Sequence, residues 1–166
     1  MRLRSIRVIA VALAAGSLIA VPLAESAPAA VQATCSKAVT KQDLKHFIAT
    51  TRLSVCTNPA ATGGKGVMVF NYKNYATTGK ISGKVTWNKT GTTVIAIKTG
   101  KATKAQIAKC VKTVGKGASA ATSTGTVTGG TGKALKGIPK GSKFSETVCY
   151  STKSVVTLYP GSKVVF

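Results

Sequence analysis

A chain of 166 residues with 24 Lys and Arg against 3 Asp and Glu carries a formal net charge of +21, and holds material for one small domain. The shortage of carboxylates excludes paired-carboxylate acid/base chemistry, two-metal hydrolysis and glycosidase dyads. A charge balance so one-sided points instead to an anionic partner.

Residues 1–29 read as a secretory signal peptide. Arg2, Arg4 and Arg7 precede an apolar run over 8–20, Pro22 breaks it, and small residues follow at Ala24, Ser26, Ala27 and Ala29. Cleavage after Ser26 or after Ala29 fits the pattern equally. The run is shorter than a membrane span and no second apolar segment follows, so the expected product is a single disulfide-stabilised extracellular domain over 30–166 with no transmembrane segment. The Ala-rich leader fits a bacterial protein. Losing Arg2, Arg4, Arg7 and Glu25 leaves 21 cations against Asp43 and Glu146, a net +19. Twenty of those cations are Lys and the other is Arg52. Bidentate readout of guanine is arginine chemistry, so sequence-specific nucleic-acid binding is not expected, whereas attraction to polyanions is.

Cys35, Cys56, Cys110 and Cys149 read as two disulfides of an oxidising compartment. Of the three connectivities, Cys35–Cys56 with Cys110–Cys149 closes each half of the chain on itself and ties a helical region to a neighbouring strand. No Cys-x-x-Cys spacing exists and His46 stands far from the cysteines, so no metal site and no cofactor are expected.

In chain order, Thr40 as N-cap, Asp43 at the third position, and Leu44, Phe47 and Ile48 at i, i+3, i+4 predict a helix over 41–51. Residues 53–56 follow as a short strand, the Asn58-Pro59 and Gly63-Gly64 pairs as turns, and 67–72 as an apolar strand. Ile81, Gly83, Val85 and Trp87 alternate with Lys80, Ser82, Lys84 and Thr86, then a turn leads to a returning strand, which predicts a hairpin over 81–98. Thr103 and Gln106 form a capping box before Ile107, Cys110, Val111 and Val114, and Gly115 ends this second helix. Over 116–141 the chain is rich in Gly, Ser, Thr and Lys. It reads as a mobile basic loop or as a hairpin, with 124–128 a thin edge strand and 133–140 its exposed end. Strands at 144–150 and 154–159, a Pro160-Gly161 turn and an apolar ending at 163–166 complete the chain. The expected fold is α+β, an antiparallel sheet of about five to seven strands with two short helices and two disulfides. An all-β sandwich is the alternative.

No residue set reads as catalytic. Asp43 and His46 lie three apart, but a capping Asp followed by a surface His accounts for both. The Gly129–Lys133 stretch fails as a phosphate loop, because Val127 stands where its first Gly is required and Ala134 where Ser or Thr is. Trp87, in register with Ile81 and Val85, reads as core. Tyr72 and Tyr75 near a strand end, with Lys80, Lys84, Lys133, Lys136 and Lys140, are the candidate binding residues. The expectation is a non-catalytic binding protein that docks on an anionic cell-envelope polymer or an acidic protein. Two readings rank below it. One is an adaptor of a secreted antibacterial toxin complex, or an inhibitor of a secreted enzyme, working through the 116–141 segment and free strand edges. The other is a hydrolase built on His46 and a hydroxyl.

Overall fold

The computed structural model describes residues 33–151 and 156–166. The predicted leader over 1–29 lies outside the described residues.

The fold is a closed antiparallel β-barrel, not an open α+β sheet and not a two-sheet sandwich. Strands β1 (Thr34–Asp43) and β2 (Ile48–Cys56) form a hairpin, and β3 (Lys65–Asn71), β4 (Ile81–Trp87), β5 (Gly91–Lys101), β6 (Ser119–Thr131) and β7 (Lys143–Tyr150) add in order. Two short strands, β8 (Val156–Leu158) and β9 (Val164–Val165), share the eighth position. Each pairs with β7 on one side and β1 on the other, and this closes the ring.

The predicted helix over 41–51 is instead the last three residues of β1, a turn and the start of β2. An amphipathic segment of that length is marginal as an isolated helix, and here it pairs with strands on both sides. Thr40 faces Thr51 with their hydroxyls 2.8 Å apart, so the expected N-cap is a cross-strand partner. Asp43 does cap, but in a turn, accepting the His46 N–H at 3.1 Å. The apolar residues of the supposed helix face, Leu44 and Phe47, are exposed at the hairpin tip.

The hairpin over 81–98 is present as β4 and β5, with Ile81, Gly83, Val85 and Trp87 turned inward. The capping box at Thr103 and Gln106 opens a true helix, α3 (Lys104–Val114). Between these elements, α1 (Pro59–Thr62) links β2 to β3 and α2 (Tyr75–Thr78) links β3 to β4. After β6 comes α4 (Gly132–Gly137).

The 116–141 segment is neither mobile loop nor edge. Half of it is β6, thirteen residues paired to β5 over 121–131 and to β7 over 119–126. Its glycines follow from close approach of the backbone. A Cβ on Gly125 would lie 2.3 Å from the Ala96 carbonyl oxygen, and one on Gly130 would lie 2.2 Å from that of Thr92.

The barrel has one filled end and one hollow end. At the filled end α1 and α4 pack on each other and on the β4–β5 turn, where the Thr90 hydroxyl donates to the Ala61 carbonyl at 2.6 Å. Beneath them Trp87 meets Phe166 edge-on at 5.0 Å, and Phe144 lies 5.5 Å from Phe166. Trp87, 3% exposed, donates its indole N–H to Thr93 at 2.8 Å, so its one polar atom is satisfied inside the core. The chain thus ends packed into the barrel, as its apolar last residues predict, with Phe166 pairing its main chain to Ala33.

Cys35–Cys56 crosses directly paired positions of β1 and β2 at the filled end, and Cys110–Cys149 pins α3 to β7 nearer the hollow end. The pairing is the one favoured from the sequence, although the first bridge joins strand to strand, since no helix exists there. α3 covers Ala118, Ala120 and Cys149 with Ile107 and Val114, a small apolar cluster outside the barrel wall.

Phe166→Ala removes the ring against which both Trp87 and Phe144 pack, so the variant is expected to lose about 3–5 kcal/mol of stability in urea unfolding.

Candidate functional site

Two surfaces stand out once the strands are in register, one on the outside of the barrel and one inside its hollow end.

The outer surface lies on β1 to β4. Because side chains alternate across a strand, pairing aligns Val39, Arg52, Val67 and Thr86 in one outward row, and Lys41, Thr50, Val69 and Lys84 in the next. Lys37, Ser54 and Lys65 form a third row toward the filled end. The result is an open groove of about 680 Å³ whose floor includes Val39, Val67 and Trp87 and whose walls carry Arg52, Lys65 and Lys89. Val39 is 61% exposed, and Val67 and Val69 are also exposed, so this wall combines uncovered apolar side chains with six exposed cations. Among the described residues no acid offsets them on the wall. Asp43 sits at the hairpin tip bonded to His46 at 2.7 Å, and that hydrogen bond holds its carboxyl below the usual range. Glu146 faces the barrel interior.

The inner surface is the hollow end. Inward residues from seven strands enclose a cavity of about 290 Å³. Ile81, Ile97, Val148 and Val156 give it apolar walls, and Phe70, Tyr72 and Tyr150 add three rings. Glu146, only 7% exposed, lies among them beside its cross-strand partner Ser123, whose hydroxyl donates to the carboxylate. Burial pushes the Glu146 carboxyl up to about 7, against a smaller opposing pull from the Ser123 bond. Burial first, and the Glu146 charge second, push the Tyr72 phenol up to about 12. Among the described residues the lining holds no lysine or arginine.

The residues singled out from sequence do not form one site. Tyr72 lines the inner cavity instead of the surface. Tyr75, on α2, is exposed and shares a hydrogen bond with the Thr99 hydroxyl at 2.7 Å. Lys84 belongs to the outer groove's second row, and Lys80 lies at the α2–β4 junction beside a separate depression. Lys133 and Lys136 are on α4, and Lys140 follows it, so these three lie at the filled end. The free strand edges and mobile loop behind the adaptor reading are absent among the described residues.

Sequence reasoning missed the wall residues Val39, Arg52, Lys65 and Lys89, and it missed Glu146. A usable signal existed for the last. Phe144, Glu146 and Val148 alternate, which puts an acid in register with inward apolar neighbours.

Among the described residues no three His, Cys, Asp or Glu side chains cluster as a metal site would require. The Asp43–His46 pair is exposed at a hairpin turn.

A carboxyl whose folded value lies above its ordinary 4.5 favours the folded state only while protonated. Its contribution is therefore complete below about pH 4.5 and lost as pH rises through about 7, a fall of roughly 3 kcal/mol. Glu146→Gln is expected to abolish that fall in unfolding free energies measured across pH 4–8.

No protein-family model matches this chain, and no curated protein and no solved structure matches it.

Proposed function

We propose that this is an exported, non-catalytic binding protein whose cationic outer wall docks on an anionic polymer of the cell envelope. The observation that supports the reading is the wall itself: five exposed cations in rows, with Lys89 in the turn beyond them, around an uncovered Val39–Val67–Val69 stripe, with both described acids pointing elsewhere. Side chains two apart on a strand are ~6.7 Å apart and neighbouring strands ~4.8 Å, so the cations present a regular lattice suited to the repeated charges of a flexible polymer. Lys supplies hydrated point charges that tolerate many alignments, while Arg52, in the central row, is the one cation able to grip a phosphate or carboxylate with two parallel bonds. The valines give the backbone of such a polymer an apolar strip to lie on.

Two disulfides suit an oxidising compartment. Among the described residues no helix is long and apolar enough to cross a membrane.

Binding of the protein to immobilised polyphosphate should weaken steeply with salt. With about six charges neutralised, a loss of roughly 10³-fold is expected between 50 and 200 mM NaCl. Arg52→Ser combined with Lys84→Ser should weaken binding more than Lys133→Ser with Lys136→Ser at the filled end. Salt-insensitive binding, or equal losses from the two pairs, would overturn the assignment to this wall.

A further inference from the structure

The hollow end of the barrel is independent of the outer wall, and the two place demands of opposite sign on their occupants. An eight-stranded barrel is just wide enough either to be filled by its own side chains or to hold one small ligand. Here one half is filled, by Trp87, Phe144 and Phe166, and the other is not. At the level where the packing stops stands Glu146, directly above Phe144 on the same face of β7.

Leaving a carboxyl in such a place is costly. An isolated buried carboxylate is strongly disfavoured unless it is paired. Ser123 supplies one hydrogen bond, but an ionised carboxylate can accept about four. Among the described residues no cation lines the cavity to complete the set. A positive charge or strong donor brought from outside would complete it. The rest of the lining suits such a group, because it includes the rings of Phe70, Tyr72 and Tyr150, and aromatic rings attract a cation. An anionic occupant would be buried beside Glu146 with nothing to neutralise either charge.

The geometry points to a binding site for a small organic ammonium compound with an apolar body, held in the hollow end with its nitrogen on the Glu146 carboxylate and its body among Phe70, Tyr72 and Tyr150. A cavity of about 290 Å³ lies at the small end of the usual ligand range of ~300–1,000 Å³, which limits the occupant to roughly a single ring with a short amine arm. The protein's positive charge does not forbid this. Exposed lysines act through solvent and are screened beyond ~8–10 Å, whereas the carboxylate, itself 7% exposed, acts at contact.

Binding as an ion pair requires Glu146 to be ionised, so an ammonium ligand displaces the carboxyl's proton to solvent wherever the free protein holds it. The other titratable side chains on the described lining are Tyr150 on β7 and Tyr72, just after β3, whose phenol is pushed up to about 12 and so stays neutral over this range. Affinity should therefore rise with pH up to about 7 and then level off.

The test is calorimetric titration of the oxidised protein with phenethylamine, 2-phenylethanol and 3-phenylpropionate, which share a ring and differ in the charge of the arm. The expected result at pH 8 is that the amine binds at least tenfold more tightly than the alcohol and the acid does not bind. Lowering the pH to 5.5 should weaken the amine by ~30-fold, as follows from protonating a carboxyl that titrates near 7, and should leave the alcohol unchanged. Glu146→Gln should bring the amine to the level of the alcohol. Tyr72→Leu, at the cavity mouth, should cost a few-fold, and it keeps the site testable should the first variant fold poorly. Equal affinity for amine and alcohol, preference for the acid, a pH-independent amine, or no binding of the amine at millimolar concentration would each overturn the proposal.

Discussion

Everything in this molecule depends on β1 pairing on both of its sides. On one side it forms the hairpin with β2; on the other it receives the two short strands β8 and β9 that close the barrel. Without that second set of pairings the sheet would have two open edges and a single apolar face in need of cover. With it, no covering layer of helices is required, since the inward face of every strand is buried against the others. Closure also explains why so few aromatic residues suffice. Trp87, Phe144 and Phe166 fill half of an interior that eight strands have already made narrow.

Closure sorts the charges as well. In a closed barrel each strand residue faces either a small shared interior or solvent. Lysines can only face outward, and the chain has twenty of them. The outward rows of β1 to β4 therefore collect cations by default, and the valines of the same rows are left uncovered among them. The interior admits one carboxyl, Glu146. Self-repulsion of the cations opposes the compact state, and the two disulfides, one toward each end of the barrel, counteract it by constraining the unfolded chain, at about 3–4 kcal/mol each in the chain-entropy model. The filled end is closed by packed aromatic rings and the outer wall is an electrostatic surface, while the hollow end holds Glu146, whose carboxyl burial pushes up to about 7.

Where pattern and structure agree, local chemistry was decisive. The β4–β5 hairpin announced itself through strict alternation from Ile81 to Trp87, and α3 through a capping box whose two hydrogen bonds are both present. Where they disagree, a local pattern met stronger tertiary pairing. Thr40, Asp43, Leu44 and Phe47 satisfy a helix template, yet the same Thr and Asp serve equally well in a hairpin, and only the neighbours β3 and β8 decide which. Glycine misled in the same way over 116–141. Its abundance reads as flexibility in isolation, but Gly125 and Gly130 mark places where β6 approaches β5 too closely for a side chain.

The candidate surfaces divide along the same line. The amino-acid sequence alone determines the excess of positive charge, its dominance by lysine, the four cysteines and the scarcity of carboxylates, because these are properties of composition. It also holds the alternation that turns Glu146 inward with Phe144 and Val148. What only the tertiary structure decided is which residues become neighbours. Val39, Arg52 and Val67 are far apart in sequence and adjacent across three strands, and Phe70, Tyr72, Ser123 and Glu146 meet only because the sheet closes on itself. Register across a barrel depends on pairings between segments distant in the chain, and no local pattern in a single sequence records them.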